Sequence, residues 1–460
     1  MRRRDLLALP SLAATAAPSR PNFVFILVDD LRFDELRCTG HPFAQTPHCD
    51  RLASEGANFR NAFVTTPLCS PSRASFLTGR YAHSHGVIDN VARNALSHQL
   101  VTWPRLLHDS GYATAFIGKW HMGNDDSPRP GFNRWVSFRG QGECTDPDLN
   151  VDGRVEKTAG YVTDILTDYA VQFLDQQQQQ QRGAAQPFCL YLAHKAIHPN
   201  IQQASDGSVN PASADDAAMF VAAPRHRDLY AGSPLPRRAN YGKVSGGQPA
   251  LKRTVERGFG VTNDATILNR TRMMTAVDES LGRIMASLEK AGQLDNTVVI
   301  FTSDHGYFYG EHGLGPERRL AYEEAIRIPL LVRYPRLFRA GSKPEQFTLS
   351  IDIAATALAL GGVTAPQPLT GRALHRAGTP PRDAILVEYF SDSVFPNVKN
   401  MGYKAIRTGR WKYIRYEDLT DSDEAYDLQR DPYEMDNVIG HRSTPLASLR
   451  RRLDQLILES

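Results

Sequence analysis

Residues 22–30 read NFVFILVDD, an unbroken apolar run that closes in two aspartates. Alternating polarity would mark a strand with one wet face. A run without polar interruption marks a strand covered on both faces, as in a parallel sheet. The pattern returns at residues 296–306, NTVVIFTSDHG, where an apolar run ends in Asp304, His305 and Gly306. Helical periods lie between the two. Val162, Ile165, Leu166, Tyr169, Phe173 and Leu174 share one face of a first helix. Met273, Val277, Leu281, Ile284 and Leu288 share one face of a second, which Gly292 stops. Strands alternating with helices imply an α/β fold with a large, mostly parallel central sheet flanked by helices. Ligands in such folds gather at the carboxyl ends of the strands, where both acidic pairs stand.

The ends of the chain read differently. Residues 1–20, MRRRDLLALPSLAATAAPSR, have a basic start, a short apolar run and small residues before Pro18. This is the pattern of a secretory signal, and RRRDLL resembles a twin-arginine type, so a periplasmic or secreted protein is expected. Residues 21–370 are expected to form the main domain, with an irregular insert at 202–260, rich in Gly, Pro, Ser and Ala, that reads as a lid or binding wall. Residues 371–460 read as a small C-terminal α+β subdomain, an antiparallel sheet followed by a helix. The glutamine run at 176–181 reads as a solvated helix end.

Composition excludes several classes. The net charge is +3, from 53 basic and 50 acidic residues, and no basic stripe stands out, so nucleic acid is not an expected partner. Mean hydropathy is negative, and no apolar run past the N-terminus is long enough to cross a bilayer. Five cysteines, Cys38, Cys49, Cys69, Cys144 and Cys189, are an odd number for an exported chain. None forms a CxxC pair, which argues against a thiolate zinc site. If one is chemically special, four remain that can pair, in combinations the spacing does not reveal.

Asp29, Asp30 and Asp304 are carboxylates at the ends of apolar strands. Burying three together without a cation is costly. Arg32, Arg73 and Lys119 are available as partners, yet such an oxygen-rich cluster also suits calcium or magnesium. The nitrogen of His305 would admit manganese or zinc as well. After an apolar run, GYATAFIGKWHMG places Lys119 and His121 two residues apart, hence on one side of a strand end. HKAIHP supplies His194, Lys195 and His198. Lone histidines are usually structural, but two Lys/His clusters beside an acidic one suit a pocket that holds an oxyanion and moves protons. Residues 65–81, TTPLCSPSRASFLTGRY, add a cysteine, a proline and an arginine, with Ser70 or Ser72 as caps for a helix starting near Arg73.

Read together, these motifs resemble the type I, formylglycine-dependent sulfatases of the alkaline phosphatase superfamily. Residues 69–80, CSPSRASFLTGR, match that family's C-x-P-S-R-x-x-x-L-T-G-R signature throughout. VDDLR, TPHCDRLASEGANFRNAF, GYATAFIGKWHMG, HKAIHP, FTSDHG, GEHGL, YEEAIRIPLLVRYP and YDLQRDPYEMDNV follow in the family's order. The resemblance covers nearly all of the chain after residue 20, apart from 202–260.

It implies a sulfuric ester hydrolase in which Cys69 is oxidised to formylglycine by a formylglycine-generating enzyme. The hydrated aldehyde is a diol, one oxygen of which attacks sulfur. The other then loses its proton as sulfate leaves. It further implies Asp29, Asp30, Asp304, His305 and modified Cys69 as ligands of one divalent metal, Ca2+ first and Mg2+ or Mn2+ next. Arg73 is expected to hold the diol, Lys119 and His121 to stand beside it, and His198 to bind sulfate or protonate the leaving oxygen. Relatives usually carry a lysine before YEE, where this chain offers Arg318 and Arg319. Arginine keeps the charge but cannot deliver a proton, so the general acid is assigned to His198. Asn90, Lys195 and Arg318 are the expected substrate contacts, and a sulfated sugar or polysaccharide fragment is the expected substrate. A phosphonate or phosphate diester hydrolase of the same superfamily is the alternative enzyme. A non-catalytic sulfated-glycan-binding protein is the alternative from another class.

Overall fold

The computed structural model describes residues 20–180, 186–211, 216–245, 247–256, 261–375, 380–391, 395 and 398–460. The expected signal segment lies outside them, apart from Arg20. Nine strands among the described residues form the central sheet: β1 (Asn22–Val28), β2 (Ala57–Asn58), β3 (Ala113–Gly118), β4 (Arg134–Ser137), β5 (Asp148–Val151), β6 (Arg154–Lys157), β7 (Phe188–Ala193), β8 (Thr297–Ser303) and β9 (Leu330–Arg333). Their spatial order is β2-β9-β8-β1-β7-β3-β4-β5-β6. The middle five, β8 to β4, are mutually parallel, and the edge strands pair antiparallel.

The unbroken apolar run of β1 has the expected cause. Val24, Ile26 and Val28 face one layer, with Leu166 and Phe173 of α2 (Val162–Gln180) and Val277 and Leu281 of α3 (Asp264–Lys290). Phe23, Phe25 and Leu27 face the other. There they meet Phe76 and Leu77 of α1 (Cys69–Thr78) and Ile353 and Ala357 of α4 (Asp352–Gly361). A strand between two helical layers has no wet side, so its alternate residues are all apolar.

Beyond this lies a second sheet of β10 (Ala384–Tyr389), β11 (Tyr403–Thr408), β12 (Trp411–Tyr416) and β13 (Glu424–Asp427), paired antiparallel in sequence order. The terminal helix α5 (Leu446–Glu459) packs on it through Leu449 and Leu453. Tyr389, Tyr403 and Tyr426 of this sheet share one apolar cluster with Leu68, Phe308 and Tyr322 of the preceding part.

Three expectations change. Helix α1 starts at Cys69 rather than near Arg73. Leu68 is extended at φ −154°, ψ 140°, and its carbonyl accepts the Ser72 N–H at 2.9 Å. Pro71 therefore falls in the first turn, where a missing N–H costs nothing. Neither serine caps the helix; the Ser70 hydroxyl donates to the His121 carbonyl and that of Ser72 to the Asp304 carbonyl. The 202–260 segment holds short ordered pieces, a hairpin of Ile201–Gln203 with Val209–Pro211 and a helix at Pro249–Glu256. Strands of three residues are too short to show a period. None of the five cysteines is disulfide-bonded.

Candidate active site

Val28 pairs with Ser303, so β1 and β8 end side by side and deliver Asp29, Asp30, Asp304 and His305 to one place. Asp30 takes a left-handed turn, φ 63°, with its N–H donating to Asp304 Oδ1 at 3.1 Å. Cys69 opens α1 beside them. Its sulfur lies 3.9 Å from Asp29 Oδ1 and 3.3 Å from His305 Nε2.

One ligand atom each from Asp29, Asp30, Cys69 and His305 falls within 4.8 Å of the others, and all four residues are buried. Both carboxylate oxygens of Asp30 are buried without a hydrogen-bond donor. His305 Nδ1 and Arg318 Nε come only within 3.4 and 3.5 Å of Oδ1, so both oxygens remain open to direct ligation, and the donor set fits a divalent metal. Asp304 stands just outside the group of four. Its Oδ1 is 3.7 Å from His305 Nε2, while Oδ2 accepts from Arg73 Nε at 3.0 Å and pairs with Nη2 at 2.9 Å.

The electrostatics tell the same story. Burial lowers the pKa of His305, yet Asp304, Cys69 and Asp30 outweigh it and raise it to about 9. Burial raises Asp29, but Lys119, His198, Arg73 and His305 hold it well below the usual carboxylate range. Lys119 Nζ bonds Asp29 directly, and Arg73 Nη1 donates to the Lys119 carbonyl at 2.7 Å. Arg32 does not serve the cluster; it pairs with Asp34 and with Glu311 at 2.7 Å.

His121 reaches the site by a left-handed turn, φ 59°, just past β3, rather than by strand alternation. Its Nε2 donates to Gln203 Oε1, which also accepts from Gln141 Nε2 at 3.1 Å. Gln141 Oε1 in turn accepts from Lys119 Nζ at 2.5 Å. A relay of side chains thus joins Asp29 to His121, and Nδ1 of that histidine is left bare. Burial and then Lys119 press the His121 pKa well down, so its ring is neutral. Gln141 and Gln203 escaped the sequence reading because isolated glutamines in loops carry no spacing signal.

His198 donates through Nδ1 to the Pro199 carbonyl at 2.9 Å and accepts through Nε2 from Arg318 Nη2 at 3.2 Å. Burial and then Lys119 lower its pKa well below the ordinary value. Arg318 Nε lies 3.5 Å from Asp30 Oδ1, which brings this guanidinium to the edge of the cluster. Arg318, Arg319, Asn90, Gln141 and Gln203 line a cavity of about 190 Å³. A larger cleft of about 760 Å³ shares Gln141, Ile201 and Gln203 with it. Asn90 also accepts the Ser70 N–H at 3.0 Å, satisfying an open donor at the start of α1. Lys195 is not among the cavity's lining residues. It is buried, its ammonium donates to the Pro199 carbonyl at 2.8 Å, and it braces the loop that carries His198. His194 lies apart from the cavity, against Ser280 Oγ at 3.2 Å.

Residues 21–363 match the family model "Sulfatase", and residues 310–459 match "N-sulphoglucosamine sulphohydrolase, C-terminal". An N-acetylglucosamine-6-O-sulfatase of Bacteroides thetaiotaomicron is 32% identical, over 99% of this chain and 89% of that protein. An extracellular sulfatase SULF-1 homolog of Drosophila melanogaster is 29% identical, over 78% of this chain and 31% of its own length. A solved protein in complex with its substrate D-glucosamine-2-N,6-O-disulfate superposes with a TM-score of 0.83 at 29% identity, covering 96% of this chain and 98% of that one.

Proposed function

This chain belongs to the sulfatase family and is a sulfuric ester hydrolase, and from that premise we propose that it is an exported enzyme releasing sulfate from a sulfated sugar through a formylglycine made from Cys69. The observation that carries the reading is the buried meeting of Cys69 with Asp29, Asp30 and His305 at the first residue of α1. A thiol sealed in such a place has no solvent chemistry of its own. As a hydrated aldehyde it supplies an oxygen nucleophile and, through its second hydroxyl, an exit for sulfate that a serine alkoxide lacks. Asp29, Asp30, Asp304 and His305 would hold Ca2+ next to it, where a divalent charge supports the attacking oxygen and draws the sulfo group in.

The residues divide the remaining work. Arg73 and Lys119 fix Asp29 and Asp304 and supply positive charge where negative charge grows. His121, neutral with a bare Nδ1 and its Nε2–H held by Gln203, is set to take the proton of the second hydroxyl. At rest His198 Nε2 accepts from Arg318 and carries no proton to give, while Nδ1–H is held by the Pro199 carbonyl. An incoming sulfo group turns Arg318 toward its oxygens and offsets the Lys119 charge, which favours a proton on His198 Nε2 for the leaving oxygen. Substrate contact is assigned to Arg318 and Asn90. Relatives named for glucosamine 6-sulfates support a sulfated amino sugar as substrate. Export through residues 1–20 is supported by an extracellular relative. The division into a catalytic part to residue 370, its 202–260 insert and a C-terminal subdomain belongs to the same proposal.

Mass spectrometry of the tryptic peptide NAFVTTPLCSPSR, from protein made with formylglycine-generating activity, tests the nucleophile. Conversion lowers its mass by about 18 Da. The converted protein is then expected to release sulfate from N-acetylglucosamine 6-sulfate. An unshifted peptide alongside a converted control sulfatase removes the diol mechanism. Faster turnover of an aryl phosphonate monoester than of an aryl sulfate favours the phosphonate alternative. A fully converted protein that binds sulfated glycans without turning them over favours the binding alternative.

A further inference from the structure

A separate cavity of about 200 Å³ opens where Phe33, after β1, meets Arg238 of the 202–260 segment and the C-terminal sheet. Its walls carry three guanidinium groups, Arg238, Arg327 and Arg407, against one carboxylate, Glu323, and the rings of Phe33 and Tyr433. It shares no lining residue with the cavity beside Asp30.

Two of the arginines have acidic partners. Arg238 donates to Glu324 at 2.9 Å and lies 3.3 Å from Asp34, and Arg407 lies 3.3 Å from Glu323. That glutamate is divided, since the same oxygen is 3.1 Å from Lys412 Nζ. Arg327 is different. Its Nε donates to the Arg60 carbonyl at 3.1 Å and its Nη2 donates to the same oxygen at 2.5 Å. No ion pair forms on it among the described residues. Burial works against its charge, Glu323 supports it, and Arg407, Arg60 and Arg238 oppose it. A guanidinium does not relieve such stress by losing its proton. An anion relieves it. The planes are held for one: Arg327 stacks on Phe33 at 4.6 Å, and Arg238 lies 5.2 Å from the rings of Phe33 and of Tyr433. The hydrogen bonds these three groups make leave Nη1 of Arg327 and Nη2 of Arg238 and of Arg407 for those that an oxyanion accepts.

We propose that this cavity binds a tetrahedral oxyanion, a sulfo group on a sugar or inorganic sulfate, between Arg327, Arg238 and Arg407. The site draws on three stretches of the chain, so the bound anion clamps the C-terminal sheet to the rest of the molecule. It stands whatever reaction the Cys69 site performs.

Crystals of the full chain soaked in sodium selenate, an anomalous scatterer of sulfate shape, test this. A peak is expected within hydrogen-bond reach of Arg327, absent in Arg327→Gln crystals. In solution, sodium sulfate at constant ionic strength should raise the melting temperature more in the wild type than in Arg327→Gln, with Arg327→Lys intermediate. The difference between the variants removes any contribution from sulfate at the Cys69 site. Equal melting of the variants without sulfate controls for folding. Displacement of selenate by N-acetylglucosamine 6-sulfate at lower concentration than by sulfate assigns the sugar-borne group, and the reverse order assigns the free ion. No peak in the cavity, a peak that survives Arg327→Gln, or equal sulfate-dependent shifts in all three proteins overturns the proposal.

Discussion

Asp30 shows how one residue can cost stability and supply function. Its carboxylate is buried without donors, and its backbone is left-handed, a conformation that costs roughly 1–2 kcal/mol for a residue with a side chain. Asp30→Asn removes a buried charge that Arg318 and His305 approach only to 3.5 and 3.4 Å, and it keeps the shape. The metal-free variant is expected to be more stable than the metal-free wild type, by about 1–3 kcal/mol, because the desolvation penalty is gone. Metal analysis should show divalent ion lost from the variant, and sulfate release should fall with it. Urea melts of both chelated proteins check the first outcome. Gln203 acts through another residue. Gln203→Ala frees the His121 ring from its acceptor, and losing one buried hydrogen bond to a positioned group is worth about 1–2 kcal/mol, or roughly tenfold in rate. The fall should appear in kcat with KM little changed, and a fall in KM-controlled binding alone would contradict the positioning role.

At the scale of elements, the carboxyl ends of β1, β3, β7 and β8 carry the site because parallel neighbours end together. Gly118, last in β3, makes the close approach possible. A Cβ there would stand 1.9 Å from the Ala193 carbonyl oxygen of β7, and its φ of 113° excludes an ordinary side chain. Gly118→Ala must therefore separate β3 from β7 or move Lys119 away from Asp29. Activity loss greater than the loss of melting temperature explains is expected, measured by turnover and thermal unfolding on one preparation. The unbroken apolar run of β1 announced this sheet in the sequence. The hairpin that carries Gln203 did not announce itself, since Ile201–Gln203 is shorter than any period it would display.

Across the whole molecule, the C-terminal sheet is tied to the rest through buried charge. Glu424 on β13 accepts from Tyr322 and from Tyr426 at 2.7 Å each. Burial raises its pKa from 4.5 to about 7, although the tyrosines and Lys412 oppose the shift. The folded chain therefore holds this proton more tightly than the unfolded chain. Its contribution is complete below 4.5 and is lost as pH rises through about 7. That amounts to stability on the order of 3 kcal/mol. Melting temperature should decline across this window, and Glu424→Gln, which keeps an acceptor for the tyrosines, should flatten the decline. Chelation of the metal is a second global lever. Saturating a site at about 100 times its Kd stabilises by about 2.7 kcal/mol, so EDTA should lower the melting temperature and Ca2+ should restore it.

The sequence by itself determined the layered architecture, because a strand buried on both faces must carry an unbroken apolar stretch, as 23–28 and 298–301 do. It also determined which carboxylates, histidines and cysteine stand at strand and helix ends, since those positions are local. Tertiary structure alone decided how they are spent. Asp304 turns one oxygen to Arg73, Lys195 braces a loop, Asn90 meets the first turn of α1, and two unremarked glutamines link Lys119 to His121. Each of those outcomes depends on which distant groups compete for the same buried donor or acceptor. That competition spans tens to hundreds of residues, and no local pattern encodes it.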